Sequence, residues 1–137
     1  MAAFSFWIVN PDAVLAMRWE TTLRREGWTV RRAPDLASFA AAAEPRGACL
    51  ALVDWEALGQ AGDAGLRRLK ERIPAVSLIL TSSPDISTDR IIATLEAGVD
   101  DFFPHSIEDG LLKAKLRAHL RRLLPSFATA LDVLRSR

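Results

Sequence analysis

The feature that most constrains this chain is the apolar run Ala48-Cys49-Leu50-Ala51-Leu52-Val53, which closes on an acid, Asp54. An unbroken aliphatic run of this length reads as a strand covered on both faces, as in parallel sheets flanked by helices. Four further short runs, at residues 4–9, 28–32, 75–80 and 102–103, fit the same role, with the second the weakest and placed near an edge. Helix-like segments separate them. Pro11 suits a first helical turn, Leu15, Trp19 and Leu23 recur at helical spacing, and Gly27 ends that segment. Asp35 reads as the N-cap of an alanine-rich helix over 36–43. Over 63–72, Leu66 and Leu69 face inward opposite Arg67, Arg68, Lys70 and Glu71, and Pro74 stops the helix. A fourth helix spans 85–97 up to Gly98, and a long amphipathic one spans 107–124. Regular strand–helix alternation implies an α/β fold: a parallel sheet, right-handed crossovers and helices on both faces.

A chain of 137 residues is one domain by the usual size relation, and half of it is hydrophobic, enough for a sizeable core. The net charge of +1 gives no electrostatic case for a nucleic-acid partner. The single cysteine, Cys49, lies inside a buried run and has no internal disulfide partner, which fits a reducing compartment. No apolar stretch approaches the roughly 20 residues that span a bilayer, and the first residues lack the basic region of a signal peptide. The expectation is a soluble, cytoplasmic domain over 1–123, followed by a tail or linker helix over 124–137. In that tail Ser126 reads as an N-cap, with Phe127, Leu131 and Leu134 on one face. It either packs on its own domain or begins a signalling helix toward a partner.

An acid at the carboxyl end of a parallel strand sits where open α/β sheets place their ligand chemistry. Other constellations carry less. Asp100-Asp101 precedes the fifth strand, at the opposite end of the sheet, and is assigned to loop and turn formation. Lys113, Lys115, Arg117, Arg121 and Arg122 make the last helix basic, which a solvated face explains. His105, His119 and Cys49 lack metal-ligand spacing, and no phosphate-loop or nucleophile-elbow motif is present. Trp7 and Trp19 read as core, and Trp55 as the rim of the Asp54 pocket.

Leu52-Val53-Asp54, Leu78-Ile79-Leu80-Thr81-Ser82 and Leu95-Glu96-Ala97-Gly98-Val99-Asp100-Asp101-Phe102, in this order and spacing, resemble the receiver domain of two-component response regulators, the CheY-like family. The resemblance covers roughly residues 4–123. It implies a flavodoxin-like (βα)5 three-layer sandwich with a five-stranded parallel sheet. It also implies an aspartate that accepts a phosphoryl group from a histidine kinase, with Mg²⁺ neutralising the anionic reactants. Asp54 matches the phosphoacceptor, Thr81 the phosphoryl-contacting hydroxyl (Ser83 is the alternative) and Phe102 the switch aromatic. The acidic pair that would hold Mg²⁺ is replaced by Asn10 and Pro11, with Asp12 one place late. The lysine position is His105, and Ser106 stands where a cis proline is expected.

These departures set the expectations. The candidate metal ligands are Asn10, Asp12 and Asp54, but losing two carboxylates leaves no useful Mg²⁺ affinity. Asp12 is favoured as the N-cap of the first helix instead. His105 is either a pH-sensitive phosphoryl contact, since an unperturbed histidine titrates near pH ~6.5, or a loop histidine bonded to its own backbone, the favoured reading. A non-proline cis bond costs about 2.5–4 kcal/mol, so the His105–Ser106 bond is expected trans and the loop rerouted. The expected function is an atypical receiver that signals by protein contact, a non-enzyme with no catalytic residue. The resemblance implies a partner face on helix four, strand five and helix five, with Phe102, Ile107 and Leu111. A homodimer remains open, as do a phosphorylatable receiver served by a kinase and a flavodoxin-like domain binding another small ligand.

Overall fold

A computed structural model describes residues 4–123. Five parallel strands, β1 (Ser5–Val9), β2 (Arg31–Ala33), β3 (Cys49–Asp54), β4 (Val76–Ser82) and β5 (Asp101–Pro104), form one sheet in the order β2-β1-β3-β4-β5. The helices are α1 (Ala13–Arg25), α2 (Leu36–Ala42), α3 (Gly62–Arg72), α4 (Thr88–Glu96) and α5 (Asp109–Leu123), with two single 3-10 turns after β3. This is the expected flavodoxin-like fold. The helix expected from Ser126, Phe127, Leu131 and Leu134 lies outside the described residues.

The side-chain alternation of a strand sorts the core into two halves. Phe6, Ile8, Leu50, Leu52, Ile79 and Phe103 pack with Trp19, Leu23, Leu112, Leu116 and Leu120 of α1 and α5. Trp7, Val9, Ala51, Val53, Leu78 and Leu80 pack on the other side with Leu36, Phe39, Leu66 and Leu69 of α2 and α3. Cys49 through Asp54 are buried without exception, as the continuous apolar run requires. Burial pushes the Cys49 thiol up to about 12.

Several element bounds differ from expectation, among them β5, which spans Asp101–Pro104, and α5, which starts at Asp109. Trp28 and Val30 are core residues, yet pairing with β1 begins only at Arg31. Strand β4 runs past Leu80 to Ser82, because Thr81 and Ser82 still pair with Asp54 and Pro104. Helix α4 starts at Thr88, capped by the Ser87 hydroxyl, three residues later than the spacing suggested.

The acidic pair does more than shape a turn. Asp100 accepts from Lys70 Nζ at 2.9 Å and from the Leu78 backbone N–H at 2.8 Å, joining α3 to the start of the β4–β5 ladder. Asp101 accepts from Nε2 of the buried His119, whose Nδ1 accepts from Arg122. The basic face of α5 is likewise engaged: Lys113 and Arg117 both donate to Glu26 at the end of α1. Solvation alone does not account for that face.

Candidate functional site

The sheet order places β3 in the centre, so Asp54 emerges at its carboxyl end between β1 and β4. Asp54 is 2% exposed. Its register partner on β4 is Thr81, and that pairing brings the Thr81 hydroxyl to donate to Oδ1 at 2.9 Å. Thr81 is therefore the hydroxyl at Asp54; Ser83 instead donates to Asp85. The backbone N–H of Glu56 donates to Oδ2 at 3.0 Å, making Asp54 the cap of the 3-10 turn Trp55–Ala57. Sequence reasoning did not identify this donor, although an acid directly before a turn, accepting from the backbone two residues on, is its usual signal.

The third donor is His105, whose Nε2 lies 2.5 Å from Asp54 Oδ1. The favoured expectation, a histidine bonded to its own backbone, is corrected here. The His105 backbone N–H donates to the Ser82 carbonyl at 2.8 Å, which anchors the residue beside β4 and turns its ring toward β3. The ring also meets Trp19 edge-on, with centroids 6.1 Å apart. No cis peptide occurs among the described residues, so the His105–Ser106 bond is trans as expected.

Asn10 and Asp12 turn away from metal chemistry. Asn10 Oδ1 accepts from the Asp12 backbone N–H at 2.9 Å, and its buried Nδ2 has no partner among the described residues. A buried donor is the wrong polarity for a cation. Asp12 Oδ1 caps α1 by accepting from Val14 and Leu15, the role favoured from its position. Mg²⁺ needs near-octahedral oxygen ligation. Here Asp54 already takes three donors, and among the described residues no three His, Cys, Asp or Glu side chains gather to hold a metal ion. The donor set does not fit Mg²⁺.

On the expected partner face, Phe102 is half-buried against the α2–α3 side of the core. Ile107 is corrected: at 5% exposure it packs with Phe103 and Leu112 and presents little to a partner. Leu111 is 51% exposed, and Ile92 and Leu95 of α4 are exposed as well. Trp55 sits half-buried beside Asp54, with the Arg90 guanidinium 4.6 Å over its ring. No helix among the described residues is long and apolar enough to cross a membrane.

A five-stranded parallel sheet in this order, with a buried aspartate ending the central strand, defines a receiver-type α/β domain. No family model matches the chain. It is 36% identical over 117 residues to the probable transcriptional regulatory protein TcrX of Mycobacterium tuberculosis, covering 84% of this chain and 49% of that protein. It superposes on a CheY-like receiver domain protein from Methanospirillum hungatei with a TM-score of 0.74 at 19% identity, covering 90% of this chain and 97% of that one. A two-component response regulator from Clostridium difficile gives 0.75 at 15% identity, covering 88% and 98%. The chain has the fold of CheY-like receiver domains, and over most of its length it is similar in sequence to transcriptional regulatory proteins such as TcrX. It spans about half the length of the curated relatives it matches.

Proposed function

We propose that this domain is an atypical receiver that signals through protein contacts and does not rely on Mg²⁺-dependent phosphorylation of Asp54. The observation that carries this reading is the His105 imidazole seated on the Asp54 carboxylate. A carboxylate that already accepts from Thr81, His105 and Glu56 has few free lone pairs for attack or for a metal. The partner surface in this reading is the exposed apolar part of α4 and α5, Ile92, Leu95 and Leu111, beside half-buried Phe102. A protein partner, a cytoplasmic site of action and a role without enzymatic turnover belong to the same proposal.

A second reading, a receiver phosphorylated at Asp54 by a histidine kinase, is supported by the Thr81 hydroxyl on Asp54 and by regulatory relatives such as TcrX. Incubation with acetyl phosphate and millimolar Mg²⁺, followed by intact mass and hydroxylamine treatment, separates the two. The first reading expects no hydroxylamine-sensitive adduct. An adduct that Asp54→Asn abolishes would establish the second.

A further inference from the structure

We propose that the cleft between α2 and α3 is a binding site for an amphiphilic organic anion, an apolar body carrying a carboxylate head. The inference lies outside the Asp54 pocket and does not depend on how that pocket is read.

The cleft has a volume of about 440 Å³ and is walled by α2, α3 and the 3-10 turns Trp55–Ala57 and Gly59–Ala61. Leu36, Leu58 and Leu69 line it from the core side, each of them buried. Ala37 and Ala40 on α2, with Ala61 and Gly65 across from them, are too small to fill the space between. The walls cannot close on themselves. A Cβ at Gly65 would already lie 2.8 Å from Ala61 Cβ and 3.1 Å from Leu36 Cδ2, so α3 is against its neighbours there. What remains is apolar surface in contact with water, which favours an apolar occupant. Volumes of roughly 300–1,000 Å³ with such a lining and a few placed polar groups are those of small-molecule sites.

The polar groups set the sign of the ligand. Arg68 and Arg72 line the same cleft, one helical turn apart on α3. Both are exposed, and neither forms an ion pair among the described residues. Asp35 is the one acid in the lining, and its carboxylate is engaged as the cap of α2, accepting from the Ser38 backbone N–H at 2.7 Å. A guanidinium presents a planar fork of donors that matches a carboxylate. Two uncommitted guanidinium groups beside an apolar cleft therefore select an anion with an apolar body over a neutral or cationic one. The same charges disfavour a second copy of the chain, since a two-fold contact here would bring the arginines of both copies together.

The position gives occupancy a route to the sheet. Ala57 lines the cleft and closes the turn that Asp54 caps, so an occupant sits one residue from the Glu56 N–H that donates to Asp54 Oδ2.

The test titrates octanoate into the isotope-labelled full chain and follows backbone amide shifts by NMR, with octanol as the uncharged probe of equal length. Saturable shifts are expected over 35–40, 57–61 and 65–72, with octanoate bound about ten-fold more tightly than octanol. That advantage should vanish in Arg68→Gln combined with Arg72→Gln. Ala37→Phe, which fills the cleft from an exposed position, should abolish binding of both probes, each variant being checked for folding by circular dichroism. No saturable shift in folded wild-type protein, equal affinity for the two probes, or an octanoate affinity unchanged by loss of the arginines overturns the proposal. So do shifts of these amides with protein concentration alone, which would place a second copy in the cleft, and their response to an acidic peptide but not to octanoate, which would assign a protein partner.

Discussion

His105 and Asp54 are 51 residues apart in sequence, yet the Nε2 of one lies 2.5 Å from the Oδ1 of the other. Strand order produces this proximity. With β4 between β3 and β5, a chain leaving β5 at Pro104 returns over Ser82 and delivers the next side chain to the end of β3. The short, planar side chain of His105 leaves a ring seated on the carboxylate. That geometry leaves the pocket self-satisfied.

Glu26 joins the end of α1 to α5 through Lys113 Nζ at 2.8 Å and Arg117 at 2.9 Å. The hydrogen bond from Lys113, with the charges of Lys113 and Arg117, holds its carboxyl below the ordinary range. A carboxyl lowered on folding adds stability above its unfolded value, and that stability is lost as pH falls through the folded value. Glu26→Gln is expected to cost about 1 kcal/mol at neutral pH, as a partly exposed pair does. In urea unfolding, the gap between wild type and variant should close as the pH drops below the ordinary carboxylate range. A gap independent of pH would remove the charge from the explanation.

Asp100 accepts from the Leu78 backbone N–H, and Lys70 reinforces it from α3. Asp100→Ala leaves a buried strand N–H without an acceptor, which costs about 1–3 kcal/mol. Asp100→Asn keeps an oxygen and should lose markedly less. Equal losses in thermal unfolding would show that the hydrogen bond to Leu78 is not what matters.

Two helical glycines should respond in opposite directions. A Cβ at Gly65 would lie 2.8 Å from Ala61 Cβ and 3.1 Å from Leu36 Cδ2. Overpacking of this kind costs about 1–3 kcal/mol, more than the gain of about 1 kcal/mol in helix propensity. At Gly110, in the first turn of α5, a Cβ would meet nothing within 4 Å. Gly65→Ala should therefore lower the melting temperature and Gly110→Ala raise it. A rise in both would mean that α3 can shift away from α2.

Cys49 is buried in β3, with its thiol pushed up to about 12 by desolvation. Thiolate is the reactive form, so alkylation of the native protein requires opening of the sheet. Labelling should follow the urea dependence of global unfolding, whereas a denaturant-independent rate would reveal local opening of β3.

Most of the fold was legible because strand burial imposes a composition. The run ending at Asp54, and the runs before Thr81 and in 4–9, are apolar in the way a covered parallel sheet requires. Asp35 and Asp12 were legible as caps because capping is decided within three residues of chain. The edge strand β2 was less so: Trp28 and Val30 look like strand but are core residues ahead of it. His105 on Asp54, His119 on Asp101 and the Glu26 clamp were not legible, since each joins residues whose meeting depends on strand order and helix placement. Ile107 was placed on a partner face by the family resemblance, which does not say which side of the loop after β5 this residue turns to; here it is 5% exposed.

The measurement that tests the central claim most directly is tryptophan fluorescence during titration with Mg²⁺ and then beryllofluoride, for wild type and Asp54→Ala. Trp55 adjoins Asp54 in sequence and reports on the pocket against the three other tryptophans. With His105 seated on Asp54, the account predicts a flat response from folded wild-type protein, indistinguishable from the variant. A saturable, Mg²⁺-requiring change that Asp54→Ala abolishes would contradict it, because the carboxylate would then be free to bind a metal and a phosphoryl mimic.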